Sequence, residues 1–402
     1  MTIAKLLLAT PTTTSLDARV VVENNSNRDV RAKVRVDPGP GSGGRPALLD
    51  VAVPAGGVAV PSVTIALSAP LWSPESPTTL TARATMRGEV SDTLSSSYGV
   101  RTVSVAAAEF RLNGEPVFFK GVNWHEETDT SGRSMSRAEY DDELGRLVDL
   151  GASFLRHAVY SRHPYAYDWT DRHGVMVLDE WDSMWIPTEH QEVQLTYGLS
   201  AALAAQTAWN NHNHPSVIMW GLENESTTGT AIYREWITQM KAAVNAVDLV
   251  ARPVTWAPKI RAENADLDLA DGIGMNEYYG YFYGESPELG PALDALHARY
   301  PDKPVLITEN GAWSWPLGNR GEPTVKGTED WHAGILTSHW AQVVERDFMA
   351  GYAFWVPQGL QAAGELQHEA ERHVRDGADR LGRPVRPARV REVQGRAPTP
   401  LR

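Results

Sequence analysis

The sequence predicts a multidomain α and β chain: an immunoglobulin-like β-sandwich over residues 1–105, followed by a (β/α)8 TIM barrel over residues 106–357. Three observations lead there. The first hundred residues alternate apolar and polar in short runs, later residues give eight short apolar runs separated by amphipathic stretches, and the second region has the length of one barrel, about 250 residues.

The runs ARVVVEN, AKVRVD, LDVAVP, VAVPSVTIAL and TLTARATM are broken by Gly, Pro, Asn and Ser, the pattern of antiparallel strands with one buried face. In EFRLNGEPVFFK, residues 109–120, the pair Asn113-Gly114 sits between apolar runs and predicts a tight hairpin leading into the second region. Eight strands follow: VFFKGV, SFLRHA, VMVLDE, VIMWGL, PVTWA, DGIGMN, PVLITE and GYAFWV. Between the first two, SRAEYDDELGRLVDLG starts on a capping candidate, Ser136, and stops at Gly151, matching the rules for helix ends. Strands alternating with helices imply a parallel sheet, and eight of them favour a closed barrel. Residues 358–402 show neither periodicity and are rich in arginine without lysine or aromatic residues, so they read as a disordered or frameshifted tail.

Of 402 residues, 37 are Lys or Arg and 50 are Asp or Glu, a formal net charge of −13. Nucleic acid is excluded as a partner, because binding phosphates requires a concentrated basic surface. The absence of cysteine removes disulfides and thiolate metal sites. No apolar run is long enough for a membrane span or a secretory leader, so the cytoplasm is the default location. A homo-oligomer is compatible with this composition.

Active sites of such barrels form at the C-terminal ends of the strands, so polar residues closing an apolar strand are the ones to weigh. VIMWGL runs into Glu223-Asn224-Glu225, and PVLIT runs into Glu309-Asn310-Gly311. Glycoside hydrolysis needs such a pair, one carboxylic acid to protonate the leaving oxygen and one carboxylate to attack the anomeric carbon. Glu223, two residues before Glu225, points elsewhere along the strand end and is the poorer candidate.

With NGEPVFFKGVNWHE, NHPSVIMWGLENES, DGIGMNEYYGYFYG and KPVLITENGAW, the stretch from about Leu112 to Trp355 resembles glycoside hydrolase family 2. The resemblance implies a retaining exo-β-glycosidase that cleaves terminal β-linked sugars by double displacement, without cofactor, with Glu225 as acid/base and Glu309 as nucleophile. It implies that Asn224 bonds the sugar 2-hydroxyl, that Tyr278 holds the nucleophile with support from Asn276, and that Arg156 keeps the nucleophile ionised. His125 becomes a sugar contact, and Trp355, closing the eighth strand, an indole that can stack on a pyranose.

The sequence also departs from the family. Val159 stands where a substrate-binding histidine belongs, and Met184 and Ile186 stand near the metal ligands of the magnesium-dependent branch, so no metal site is expected. The family's N-terminal jelly-roll domain is expected to be missing. Asn-Glu-Ser resembles β-galactosidases, whereas the Asn-x-Tyr-Tyr-Gly run resembles β-glucuronidases. A β-galactoside is the first expectation and a β-glucuronide the second. The competing expectations are an endo-acting mannanase or glucanase of the same clan, and an inactive carbohydrate-binding protein.

Overall fold

The computed structural model describes residues 1–128, 130–258, 266–314 and 318–355. The anticipated tail at 358–402 lies outside the described residues.

Eight strands come first: β1 (Thr2–Thr12), β2 (Ser15–Glu23), β3 (Val30–Asp37), β4 (Ala47–Val53), β5 (Val58–Ala59), β6 (Ser62–Ala66), β7 (Leu80–Gly88) and β8 (Asp92–Tyr98). They make two antiparallel sheets, one with β1, β5 and β6 paired around β2, the other ordered β4-β3-β7-β8. Alternation is clearest in β3, where Val30, Ala32, Val34 and Val36 are buried and the residues between them exposed. Leu6, Leu16, Val20 and Val22 of one sheet share a core with Val34, Val36, Ala82 and Met86 of the other. Each of these leucine, valine and methionine side chains, fully buried, contributes about 1.5–3 kcal/mol.

These sheets correct the immunoglobulin-like sandwich expected over 1–105. Period-two alternation reports that a strand has one buried face, but not which strand it pairs with, so it carries no topology. Nor does the first region run on to 105. β9 (Val103–Ala106), β10 (Glu109–Leu112) and β11 (Glu115–Pro116) form a separate three-stranded sheet ordered β11-β10-β9. The Asn113-Gly114 turn joins β10 to β11 with φ of 56° and 84°, conformations asparagine and glycine tolerate best. This small sheet plugs the N-terminal mouth of the barrel. The Phe110 ring lies 5.3 Å from that of Phe119, and a Cβ at Gly272 would meet it at 2.2 Å.

The barrel itself appears as the eight apolar runs foretold. Its strands are β12 (Phe119–Asn123), β13 (Phe154–Arg156), β14 (Met176–Glu180), β15 (Val217–Asn224), β16 (Val254–Ala257), β17 (Ile273–Asn276), β18 (Val305–Glu309) and β19 (Met349–Phe354). Parallel pairing orders them β16-β15-β14-β13-β12-β19-β18-β17. The ends of this order meet: Asp271 N–H donates to the Val254 carbonyl at 2.9 Å, and the Asp271 carboxylate accepts from Val254 N–H at 2.9 Å. Around the strands lie α1 (Arg137–Asp149), α2 (Pro164–His173), α3 (Thr188–Tyr197), α4 (Leu199–Asn211), α5 (Ala231–Val247), α6 (Leu289–Arg299) and α7 (Glu329–Val344). α1 begins with a capping box between Ser136 and Glu139, and Gly151 follows its end at φ 83°. None of the described helices is long and apolar enough to cross a membrane.

Candidate active site

The strand ends gather one connected set of side chains at the C-terminal rim. Arg156, the last residue of β13, is fully buried and stands at its centre. Its Nε and Nη2 donate to the two oxygens of Glu180 at 2.6 and 3.1 Å. Its Nη1 donates to Glu309 Oε1 at 2.6 Å, and Nη2 also to Asn224 Oδ1 at 2.7 Å. The planar fork of guanidinium donors allows one side chain to hold several acceptors in fixed directions, which a lysine could not do.

The second oxygen of Glu309 accepts from the Tyr278 hydroxyl at 2.8 Å. Glu309 therefore holds two donors, one charged. Burial nevertheless raises its pKa, with the negative charge of Glu225 adding to the rise, while Arg156 and Tyr278 oppose it. For Arg156 burial pulls the pKa down, but the charges of Glu180 and Glu309 outweigh it and leave it raised. The guanidinium stays charged. Tyr278 is likewise pushed up, by burial and then by the charge of Glu309, which keeps its hydroxyl a donor.

Glu225 lies one residue beyond β15 with φ 50°, a left-handed conformation uncommon for a side-chain-bearing residue. That turn takes it off the strand path. Its Oε1 accepts from Asn276 Nδ2 at 3.2 Å and its Oε2 from the Trp185 indole at 3.0 Å. Asn276 Nδ2 also donates to Asn224 Oδ1 at 3.0 Å, and its own Oδ1 accepts from the Thr308 hydroxyl at 2.8 Å. A continuous hydrogen-bonded path thus runs from Glu309 through Arg156, Asn224 and Asn276 to Glu225. Asn224 accepts both of its bonds on Oδ1, which orients its amide nitrogen as the end able to donate to a ligand.

Glu223 faces the opposite way, as expected. It accepts from Ser226 N–H at 2.8 Å and from the Tyr233 hydroxyl of α5 at 2.9 Å. Burial raises its pKa to about 7. His125 stacks near-parallel on Tyr160 and meets the edge of Trp355 at 5.3 Å between ring centres. Both rings stand at the rim of β12 and β19, apart from the hydrogen-bonded path. Asn276 differs from its expected part, since its bonds run to Asn224 and Glu225 and not to Tyr278.

Three participants escaped the sequence reading. Glu180 closes the apolar run VMVLDE, so the strand-end rule that singled out Glu309 applies to it equally. Asn123 closes β12, accepts from Arg156 Nη1 at 3.3 Å and donates to the Thr308 carbonyl at 2.8 Å. Trp185 carried no sequence signal. It is brought to Glu225 because the loop after β14 pairs with the end of β15: Asn224 N–H donates to the Ser183 carbonyl and Trp185 N–H to the Asn224 carbonyl, each at 2.9 Å.

Among the described residues, Asp168, Asp171 and His214 form one group with ligand atoms close enough to share a cation. Asp171 already accepts from the backbone and hydroxyl of Ser216, and its other oxygen lies 2.7 Å from His214 Nδ1. The group precedes β15, at the opposite end of the barrel from Glu225.

Fold and site together define a parallel (β/α)8 barrel with two acids linked across its C-terminal rim. Residues 103–346 match the family model for the TIM barrel domain of glycosyl hydrolases family 2. This is more than half of the chain, which belongs to that family. The match begins at 103, so the barrel, and no immunoglobulin-like sandwich, is what it supports. Relatives include the β-glucuronidase of Streptococcus agalactiae, 29% identical over 57% of this chain and 42% of its own length. Another is the β-glucuronidase of Canis lupus familiaris, 30% identical over 67% of this chain and 42% of its own length. The chain therefore spans less than half the length of these relatives. Among solved structures, a family 2 β-galacturonidase from Eisenbergiella tayi superposes with a TM-score of 0.81 at 24% identity, covering 88% of this chain and 64% of that one. A β-glucuronidase from Bifidobacterium dentium gives 0.75 at 22% identity, over 88% and 60%. Both likenesses are of fold.

Proposed function

We propose that the chain is the catalytic part of a retaining exo-β-glycosidase, with Glu309 as nucleophile and Glu225 as acid/base. The observation that carries this is the path from Glu309 through Arg156, Asn224 and Asn276 to Glu225. Two carboxylates held by a common set of donors keep a fixed separation, and that separation decides whether one can attack the anomeric carbon while the other protonates the leaving oxygen. Glu309, gripped by Arg156 and Tyr278, presents a carboxylate without rotational freedom. Glu225 holds two neutral donors and no cation, which suits a group that must exchange a proton.

In the first step Glu309 attacks and Glu225 gives its proton to the aglycone oxygen. In the second, Glu225 takes a proton from the water that releases the sugar. Asn224 would meet the sugar 2-hydroxyl, His125 and Trp355 the far side of the ring. We put a β-glucuronide, or a related uronide, ahead of the β-galactoside expected first from the sequence, and the relatives' names support it.

A set of p-nitrophenyl β-glycosides on the purified protein tests this, with the glucuronide expected to turn over fastest. Glu309→Ala should abolish turnover. Glu225→Gln should lower kcat about 10²- to 10⁴-fold, the usual weight of a positioned acid/base. A Glu309→Ala protein with near wild-type rate would sink the assignment.

A further inference from the structure

Trp185 occupies an unusual place for a large apolar side chain. It is 65% exposed, sits at φ 56°, and its indole nitrogen is 3.0 Å from Glu225 Oε2. A side chain held in the left-handed region and turned to solvent costs free energy that no packing recovers, and such outliers concentrate at ligand contacts. The loop does not drift there by default. Two backbone bonds to Asn224 hold it against the end of β15.

The direction of the proton transfer decides what this indole faces. If Glu225 protonates the leaving oxygen, the group leaving with that oxygen must lie beside Glu225 and therefore beside Trp185. The sugar lies on the other side, toward Glu309. The flanking residues Met184 and Ile186 are apolar and half-buried, Ile186 against the barrel core, and the exposed indole between them offers a flat apolar face.

Resting on the glycosidase reading above, we infer that Trp185 builds an aglycone subsite selective for planar aromatic leaving groups. Trp185 is thus a specificity-determining residue for the departing half of the substrate. Stacked rings bind more tightly than an aliphatic group of equal area, and a ring fixed to the acid also sets the angle at which the leaving oxygen meets the proton.

The test keeps the glycone constant, using the best one found above. It compares kcat/KM for an aryl aglycone and a fluoroalkyl aglycone of matched leaving-group acidity. Wild type should prefer the aryl substrate, and Trp185→Ala should reduce that preference about three- to tenfold, the range expected of one aromatic contact. Trp185→Phe keeps a flat face and should retain most of the preference. An aryl preference unchanged in Trp185→Ala overturns the inference while leaving the glycosidase reading intact. Loss of all hydrolysis on every glycone by wild type would instead strike that reading.

Discussion

At the scale of single residues, the site is an exercise in charge balance. Arg156 serves two buried acids, Glu180 and Glu309, so the three groups together carry one negative charge in excess. Removing such a charge from water is costly, and both acids accordingly have raised pKa values for which burial is the leading cause. Glu223 is a cleaner case because no cation touches it. Its pKa rises from 4.5 to about 7, first through burial, with Glu180 adding repulsion. Below pH 4.5 it is protonated whether the chain is folded or not. Between 4.5 and 7 the unfolded chain releases the proton while the folded one keeps it, so stability falls as pH rises through that window. The loss amounts to about 3 kcal/mol once pH exceeds 7. Glu223→Gln fixes the neutral state. The gap in unfolding free energy between wild type and this variant should move by about that amount in the variant's favour from pH 4.5 to 8, as read from urea titrations. A gap that does not change with pH would mean Glu223 is not held protonated by the fold.

At the scale of elements, what the sequence reveals depends on whether the signal is local. The eight barrel strands were legible because they are short, mainly apolar runs buried for most of their length, and α1 because Ser136 and Gly151 mark its ends within sixteen residues. Glu309 follows such a run directly, whereas Glu225 stands two residues beyond Glu223 and was singled out by the family resemblance. The first region was legible only as strands with one buried face, and its topology was not. Trp185 was invisible since its role depends on a bridge from Met184 to Asn224, forty residues on, which no local pattern announces. Gly221 belongs with these non-local cases. It sits in mid-β15, where a Cβ would come within 2.6 Å of Glu180 Cγ and 2.8 Å of its Oε1. Only a bare backbone there lets Glu180 reach Arg156. Gly221→Ala should displace Glu180, loosen Arg156 and lower kcat by at least about tenfold, since small misplacements near a reacting pair are costly. Stability should fall by about 1–3 kcal/mol, as for other overpacked interiors. Wild-type kinetics in that variant would show that the Glu180–Arg156 contact is not needed to hold the site.

At the scale of the whole molecule, the N-terminal sheets brace the segment that leads into β15. Asn213 donates to the Leu6 carbonyl and the Ser96 hydroxyl, both at 2.7 Å, and accepts from Leu8 N–H at 2.9 Å. Trp72, fully buried, donates from its indole to the Asp171 carbonyl at 2.8 Å. Arg101 reaches furthest. Only 3% exposed, it donates to the carbonyls of Pro215 at 2.6 Å, Val217 at 3.0 Å and His214 at 3.3 Å. These are the residues just before and at the start of the strand that ends in Asn224 and Glu225. Arg101→Met preserves much of the side chain's volume but strips three carbonyls of a charged donor. An unpaired buried acceptor costs about 1–3 kcal/mol. Val217 keeps its Arg252 Nε donor at 2.8 Å and water reaches His214, so Pro215 alone is orphaned and a loss of about 1–3 kcal/mol is expected. Because the bracing joins the sheets to the entrance of β15, barrel and sheets should unfold together. Denaturant titration followed by tryptophan fluorescence and by residual hydrolysis should give coincident transitions in wild type and in Arg101→Met, displaced to lower denaturant in the variant. Activity lost well before fluorescence in Arg101→Met would mean that the sheets hold only the local strand entrance. An unmoved midpoint would mean that they do not brace the barrel at all.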